Sequence, residues 1–291
     1  MGTSTPFTGG KNGNPLIPTW LETGAETNPA EGPGAPPADA PEADSGEADA
    51  AQTPTSDQPV PTVQLRSGRT QFNKHARGGG NTPDASRLHR AIGSYVARGA
   101  GGSSSAANRM SSSGGAASAL GRLLLDASRD GIRETVRKLN LDSLASRSVR
   151  EIYASLVDFV CGEGGDHDEA INRDAYIEAV DDLMQVEGID LERPSIDTIN
   201  LLIESFISGT INNRILNAIG NKLVLLPDNV EQVRSIETEV RGFIAGAVRN
   251  GMAQAGRIFA RDQIKATIDR IYERALAILE TYSDPDAQEA R

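Results

Sequence analysis

From Leu120 onward, apolar residues recur every three or four positions, the spacing that puts them on one face of an α-helix. Leu120, Leu123, Leu124, Ile132, Val136 and Leu139 suit one helix, and Val149, Ile152, Tyr153, Leu156, Val157 and Val160 a second. Tyr176, Ile177, Val180, Leu183 and Met184 mark a third, opened by Asp166, Asp168 and Glu169. Ile196, Ile199, Leu202, Ile203, Phe206, Ile207, Ile211, Ile215 and Ile219 mark a fourth, with Ser195 as its cap behind Pro194. Val230, Val233, Ile236, Val240, Phe243, Ile244, Ala247 and Val248 mark a fifth, where Asp228 and Glu231 have capping-box spacing. Ile264, Ile268, Ile271, Tyr272, Ala275, Leu276 and Leu279 mark the last. Lys222–Leu226 is too short to count as a strand. The pattern predicts an all-α fold, a helical bundle over residues 116–283 with a disordered tail at 284–291.

Upstream the pattern thins. A helix is expected to start near Thr82-Pro83-Asp84 and run to Arg98, with Leu88, Ile92 and Val96 on one face. The stretch GAGGSSSAANRMSSSGGAAS after it is poor in apolar anchors and reads either as a loop or as a closely packed small-residue helix. Residues 63–115 thus form a basic Gly/Ser-rich segment with one helix. Residues 25–62 are an acidic Pro/Ala-rich linker, expected to be disordered because it offers too little apolar surface to offset the entropy of ordering. Residues 1–24 are a polar arm with one apolar patch, Pro15–Leu21, which holds the only tryptophan. The expected architecture is a bundle preceded by a long disordered N-terminal arm.

Charge sharpens this division. The net charge of −11 splits into −8 over residues 1–62, +7 over 63–115 and −10 over the remainder. An acidic–basic–acidic order lets the middle bind the chain's own body or an external anion. One cysteine, Cys161, excludes an internal disulfide framework and fits a cytoplasmic location. The first residues lack the apolar stretch of a secretory signal, and no run approaches the roughly 18 apolar residues a membrane span needs.

Few constellations could carry chemistry. Asp166-His167-Asp168-Glu169 is the densest set of metal-ligand types, but acids also gather at a helix N-terminus for the free N–H groups there. That bland reading is preferred, and neither a metal nor a cofactor is expected. Cys161, at the end of an amphipathic helix, reads as a core thiol rather than a nucleophile. The glycine-rich stretches match no phosphate-binding loop. Arg66, Arg69, Lys74 and Arg77, with Phe72 among them, could contact phosphates and stack a base, so nucleic acid is the alternative partner. On the arm, Gly2 is small enough to be exposed when Met1 is removed, giving an accessible amine. Pro6 stands where myristoylation wants Ser or Thr. Leu16, Ile17, Trp20 and Leu21 are a candidate docking element for a partner enzyme, since buried aromatic anchors dominate many interfaces, although the residues alone favour the blander readings. The competing readings are a tail without function and a Trp20 that folds back on the bundle.

Several stretches together resemble the QatB proteins of the bacterial Qat anti-phage defence system. They are Met1-Gly2-Thr3-Ser4, Pro15-Leu16-Ile17-Pro18-Thr19-Trp20, Ala91–Met110, Ile152–Leu183 with Phe159-Val160-Cys161-Gly162-Glu163-Gly164-Gly165, and Ile271–Glu280. The resemblance covers nearly the whole chain apart from the acidic linker, and none of these stretches is a catalytic motif. It implies three partners: an ATPase (QatA), a QueC-like enzyme (QatC) and a TatD-like metal-dependent nuclease (QatD). QueC-like enzymes activate a carboxylate and attack it with an amine, and relatives in defence systems join a deazaguanine to a protein N-terminus. The resemblance implies a system more than a mechanism; taken with the exposed Gly2, the arm and the lack of a catalytic set, the expected role is a non-enzymatic acceptor and scaffold, with Gly2 supplying the amine.

Overall fold

A computed structural model describes residues 65–77, 85–220, 229–256 and 261–283, and these are helical with no strand. The helices are α1 (Arg66–Arg77), α2 (Ser86–Ser94), α3 (Ser103–Arg109), α4 (Ser111–Asp130), α5 (Ile132–Lys138) and α6 (Val149–Ser155). They continue with α7 (Val157–Cys161), α8 (His167–Met184), α9 (Ile196–Gly220), α10 (Val230–Ala255) and α11 (Ile264–Glu280). The all-α reading is confirmed. The arm, the linker, Thr82-Pro83-Asp84, Lys222–Leu226 and the tail lie outside the described residues. No described helix is long and apolar enough to cross a membrane.

The bundle is organised around α9. Ile199, Leu202, Ile203, Phe206, Ile207, Ile211, Ile215 and Ile219 are all buried, because α9 packs against α8, α10, α4 and α1 together. Ser195 caps it, accepting from the Thr198 backbone N–H at 3.1 Å, which satisfies one of the orphan donors of the first turn. Around this axis α10 pairs with α11, and α11 packs on α3 and α4. The small-residue stretch after Arg98 is helical, and its short side chains let α4 lie close to α11. Buried tyrosines find partners: Tyr153 donates to the Leu191 carbonyl at 3.1 Å, Tyr176 to the Tyr153 carbonyl at 2.8 Å. Such satisfaction offsets the cost of taking a hydroxyl out of water.

The structure redraws several boundaries. The run from Leu120 to Leu139 is two helices, because the chain turns at Gly131, whose φ of +88° few side chains tolerate. The run from Val149 to Val160 is likewise split, at Leu156, into α6 and α7. Asn229 caps α10, its amide oxygen accepting from the Glu231 N–H at 2.8 Å, and Asp228 lies outside the described residues. Ile177 and Val230, assigned to apolar faces, are 54% and 64% exposed. Among the described residues, the segment 63–115 holds α1, α2, α3 and the start of α4 where one helix was expected. Leu88, Ile92 and Val96 are buried as predicted, and α2 runs on as a π-helical turn over Tyr95–Gly99. Leu65, Phe72 and Ala76 join the same core, so the buried body starts well before residue 116.

Candidate functional site

Gly2, Leu16, Ile17, Trp20 and Leu21 lie outside the described residues. The four bases proposed for nucleic acid sit on α1. Arg66, Lys74 and Arg77 are exposed on the side opposite the buried Gly68, Phe72, His75 and Ala76. Arg69 is half-buried and donates to the Ala218 carbonyl at 3.0 Å, fastening α1 to the end of α9. Phe72 is buried, so it is not placed to stack a base. His75 is buried as well and shares a 2.9 Å hydrogen bond with the Glu239 carboxylate on α10. Sequence reasoning saw α1 as a basic strip and missed that it is a packed helix.

The acids of the cluster Asp166-His167-Asp168-Glu169 each have a partner in the fold. Asp166 accepts from the Glu169 N–H at 2.7 Å and caps α8. Asp168 is ion-paired with Arg214, which also donates to the Arg109 carbonyl. Glu169 accepts from the Gly164 and Gly165 N–H groups at 2.9 and 2.6 Å. Asp166 thus serves the helix N-terminus as expected, whereas Asp168 pairs with Arg214 on α9 and Glu169 holds the loop ahead of α8.

Cys161 is buried at the end of α7, its thiol donating to the Asn172 carbonyl at 3.4 Å. Burial pushes the thiol up to about 12, so the reactive thiolate is scarce at neutral pH. Two outcomes are expected. Alkylation of the native protein at pH 8 is slow and becomes fast in denaturant; equal rates would overturn this burial. The neutral thiol favours the folded state fully below the usual thiol value of 9.0, and this contribution is lost as pH rises towards about 12.

The most site-like feature is a groove of about 330 Å³ between α8, α9 and α10. Its floor is built from short side chains. Ala175 and Ala179 come from α8, Ser205, Ser208 and Gly209 from α9, and Ala245 from α10. Gly209 allows the close approach that shapes it: a Cβ there would lie 3.0 Å from the Ala175 Cβ. Leu201, 49% exposed, stands at the edge with about half of its surface open. Two ion pairs cross the helices at the rim, Arg241 with Glu178 and Arg249 with Glu204. Both arginines are well exposed, so these pairs orient the rim without locking it.

Polar residues also line the groove: Asp182, Ser205, Ser208 and Asn212 as well as the four charged residues of the rim. Asn212 is 3% exposed, and its Oδ1 has no hydrogen-bond partner among the described residues. Its Nδ2 makes only a long 3.3 Å bond to Asn213 Oδ1. A buried acceptor without a donor is costly and rare in native proteins. The groove offers no nucleophile with a base beside it. Ala175, Gly209 and Ala245 carry no pattern in the sequence that announces their convergence.

Residues 101–279, which run from before α3 to near the end of α11, match the family described as Qat anti-phage system associated protein QatB. The match includes every helix that lines the groove. No curated protein and no solved structure matches the chain.

Proposed function

The chain belongs to the QatB family of Qat anti-phage system associated proteins, and from that premise we propose that it is the system's protein acceptor and scaffold rather than an enzyme. Membership of a multi-component system implies partner proteins. In this reading a QueC-like partner (QatC) modifies the α-amino group of Gly2, and the helical body holds that enzyme with the ATPase (QatA) and the TatD-like nuclease (QatD). Attack of the amine on an activated deazaguanine carboxylate forms an amide bond; the activating group leaves with the carboxylate oxygen and the amine loses a proton.

The observation that carries the reading is how the body uses its reactive residue types. Cys161 is packed away, and Asp166, Asp168 and Glu169 are engaged in a cap, an ion pair and a loop. The accessible nucleophile is then sought on the arm. An α-amine with a pKa of about 7.7–8.0 is unprotonated in roughly a tenth of molecules at pH 7, against a few in ten thousand for a lysine such as Lys11. The amine of Gly2 is therefore a better acceptor than any lysine side chain. Leu16, Ile17, Trp20 and Leu21 would dock the modifying enzyme close by.

The test is intact mass of the protein co-expressed with and without the QueC-like partner, followed by N-terminal peptide mapping. The expected result is a partner-dependent adduct confined to Gly2. An unmodified Gly2 in both samples, with the partner shown to be active, would overturn the acceptor role.

A further inference from the structure

We infer that α1 and α2 together form a binding face for duplex DNA, built from Arg66, Lys74 and Arg77 of α1 and Arg87 and Arg98 of α2. The inference concerns the helical body and holds whether or not Gly2 is modified.

The first observation is sign. The chain carries a net charge of −11, yet the described residues 65–77 and 85–98 contain no aspartate or glutamate. All five bases are exposed, and none of them forms an ion pair with a described residue. The acid that does meet α1, Glu239, is bonded to His75 on the buried side of the helix. Later helices match their bases to acids instead, Arg150 to Asp181, Arg173 to Asp158 and Arg241 to Glu178. A face of one sign attracts a polyanion.

The second is geometry. Arg66, Thr70, Lys74 and Arg77 recur at helical spacing, so the bases of α1 share one stripe opposite its buried face. From Arg66 to Arg77 the stripe runs about 16 Å along the helix axis. Close packing brings α2 up to it: a Cβ on Gly68 would lie 3.1 Å from the Ala91 carbonyl oxygen. Arg87 sits one turn ahead of Ala91 on α2. Arg98 donates to the Ser67 hydroxyl at 3.2 Å, which sets it beside Arg66. Arg69, by contrast, is turned inward to the Ala218 carbonyl.

The third is what the face lacks. The large apolar residues exposed on the body, Phe159, Ile177, Val186, Leu201 and Val230, all lie away from α1 and α2. Protein partners draw on apolar or aromatic anchors at the centre of an interface, whereas DNA interfaces are polar and positive. Arginine, the main base here, grips phosphate with a planar fork. Phe72 and Tyr95 are buried, and His89 is stacked on Phe243 at 3.8 Å. The bases of a single strand therefore find no open ring on which to stack, which favours the duplex. A helix about 10–12 Å across matches the B-DNA major groove, about 12 Å wide with phosphates along its edges. The major groove of A-form RNA is too narrow for it. At roughly one phosphate per 3.4 Å of each strand, the stripe faces about five.

The test is fluorescence anisotropy of a short labelled DNA duplex of arbitrary sequence, titrated with the full-length protein from about 50 to 200 mM salt. The expected result is binding whose log–log salt slope is about −0.9 per engaged base, so about −4 to −5. Lys74→Gln with Arg77→Gln and, separately, Arg87→Gln with Arg98→Gln are each expected to weaken binding about tenfold or more and to flatten the slope by about 1.8. Arg147→Gln with Arg150→Gln removes the same charge at the start of α6 and is expected to change neither. All six positions are exposed, so thermal midpoints should not move, and the salt slope of the unmutated protein stands independently of any variant. Absence of binding at the lowest salt would overturn the proposal, as would equal weakening by the α6 pair. Tighter binding of single-stranded DNA or of duplex RNA would overturn it too. Equally tight binding of poly-glutamate would reassign the face to an acidic protein.

Discussion

Truncating Phe206 to alanine is expected to cost roughly 3–5 kcal/mol of stability, the range for removing a buried aromatic side chain. Phe206 lies at the middle of α9, where α8, α10 and α4 enclose the helix, and it is 0% exposed. The loss has two parts: the transfer of the ring out of an apolar environment, and the cavity that remains because surrounding helices relax only partly. Against a typical total stability of about 5–15 kcal/mol, the variant sits near the edge of folding. The measurement is chemical denaturation followed by circular dichroism, with a lowered midpoint and an unchanged slope expected. Leu201→Ala is the internal control. It lies on the same helix five residues earlier, yet it is half exposed and is expected to cost under about 1 kcal/mol. Similar small shifts for both would mean that α9 is not the central helix of the bundle.

The same contrast shows what was legible in the sequence. The core face of α9 could be read directly, because branched apolar residues at helical spacing have only one way to bury together, and the Pro194-Ser195 start is a local signal. Helix breaks were less legible. The apolar spacing runs through Gly131 and Leu156 because the short helices on either side contribute to one core, so periodicity alone does not reveal a change of direction. Helix α1 was missed for a different reason. Its buried face is Gly68, Phe72, His75 and Ala76, which reads as weakly apolar, and the partners that justify it are remote. Glu239, which meets His75, lies 164 residues along the chain, and Ala218, which meets Arg69, lies 149 away. The groove belongs to the same class. Ala175, Gly209 and Ala245 become a floor only when three helices converge, and the orphaned Asn212 oxygen is defined by what is not near it. Hydrophobic patterning encodes which residues go inside; it says little about where small residues leave space between helices.

If Gly2 is the acceptor, replacing it with leucine so that Met1 is retained is expected to abolish both the partner-dependent adduct and phage protection. Removal of the initiator methionine requires a small second residue, and the leucine denies it. The amine then offered belongs to methionine, and it is displaced by one residue from the proposed docking segment at Leu16–Leu21. A displacement of one residue moves the nucleophile by up to about 3.5 Å, more than acyl transfer tolerates when reacting atoms must meet at about 3–3.5 Å. The helical body should be unaffected, so the thermal midpoint of the variant should equal that of the unmutated protein. This separates a loss of chemistry from a loss of fold. Gly2→Ala is the discriminating companion: it still permits removal of Met1 and keeps an α-amine in the original register, so it should retain much of both modification and protection. The readouts are intact mass and plaque counts in cells carrying the complete system. Full protection by the Gly2→Leu protein, with Met1 shown to be present, would move the search for this family member's role from its first residue to its helical body, and there to the groove between α8, α9 and α10.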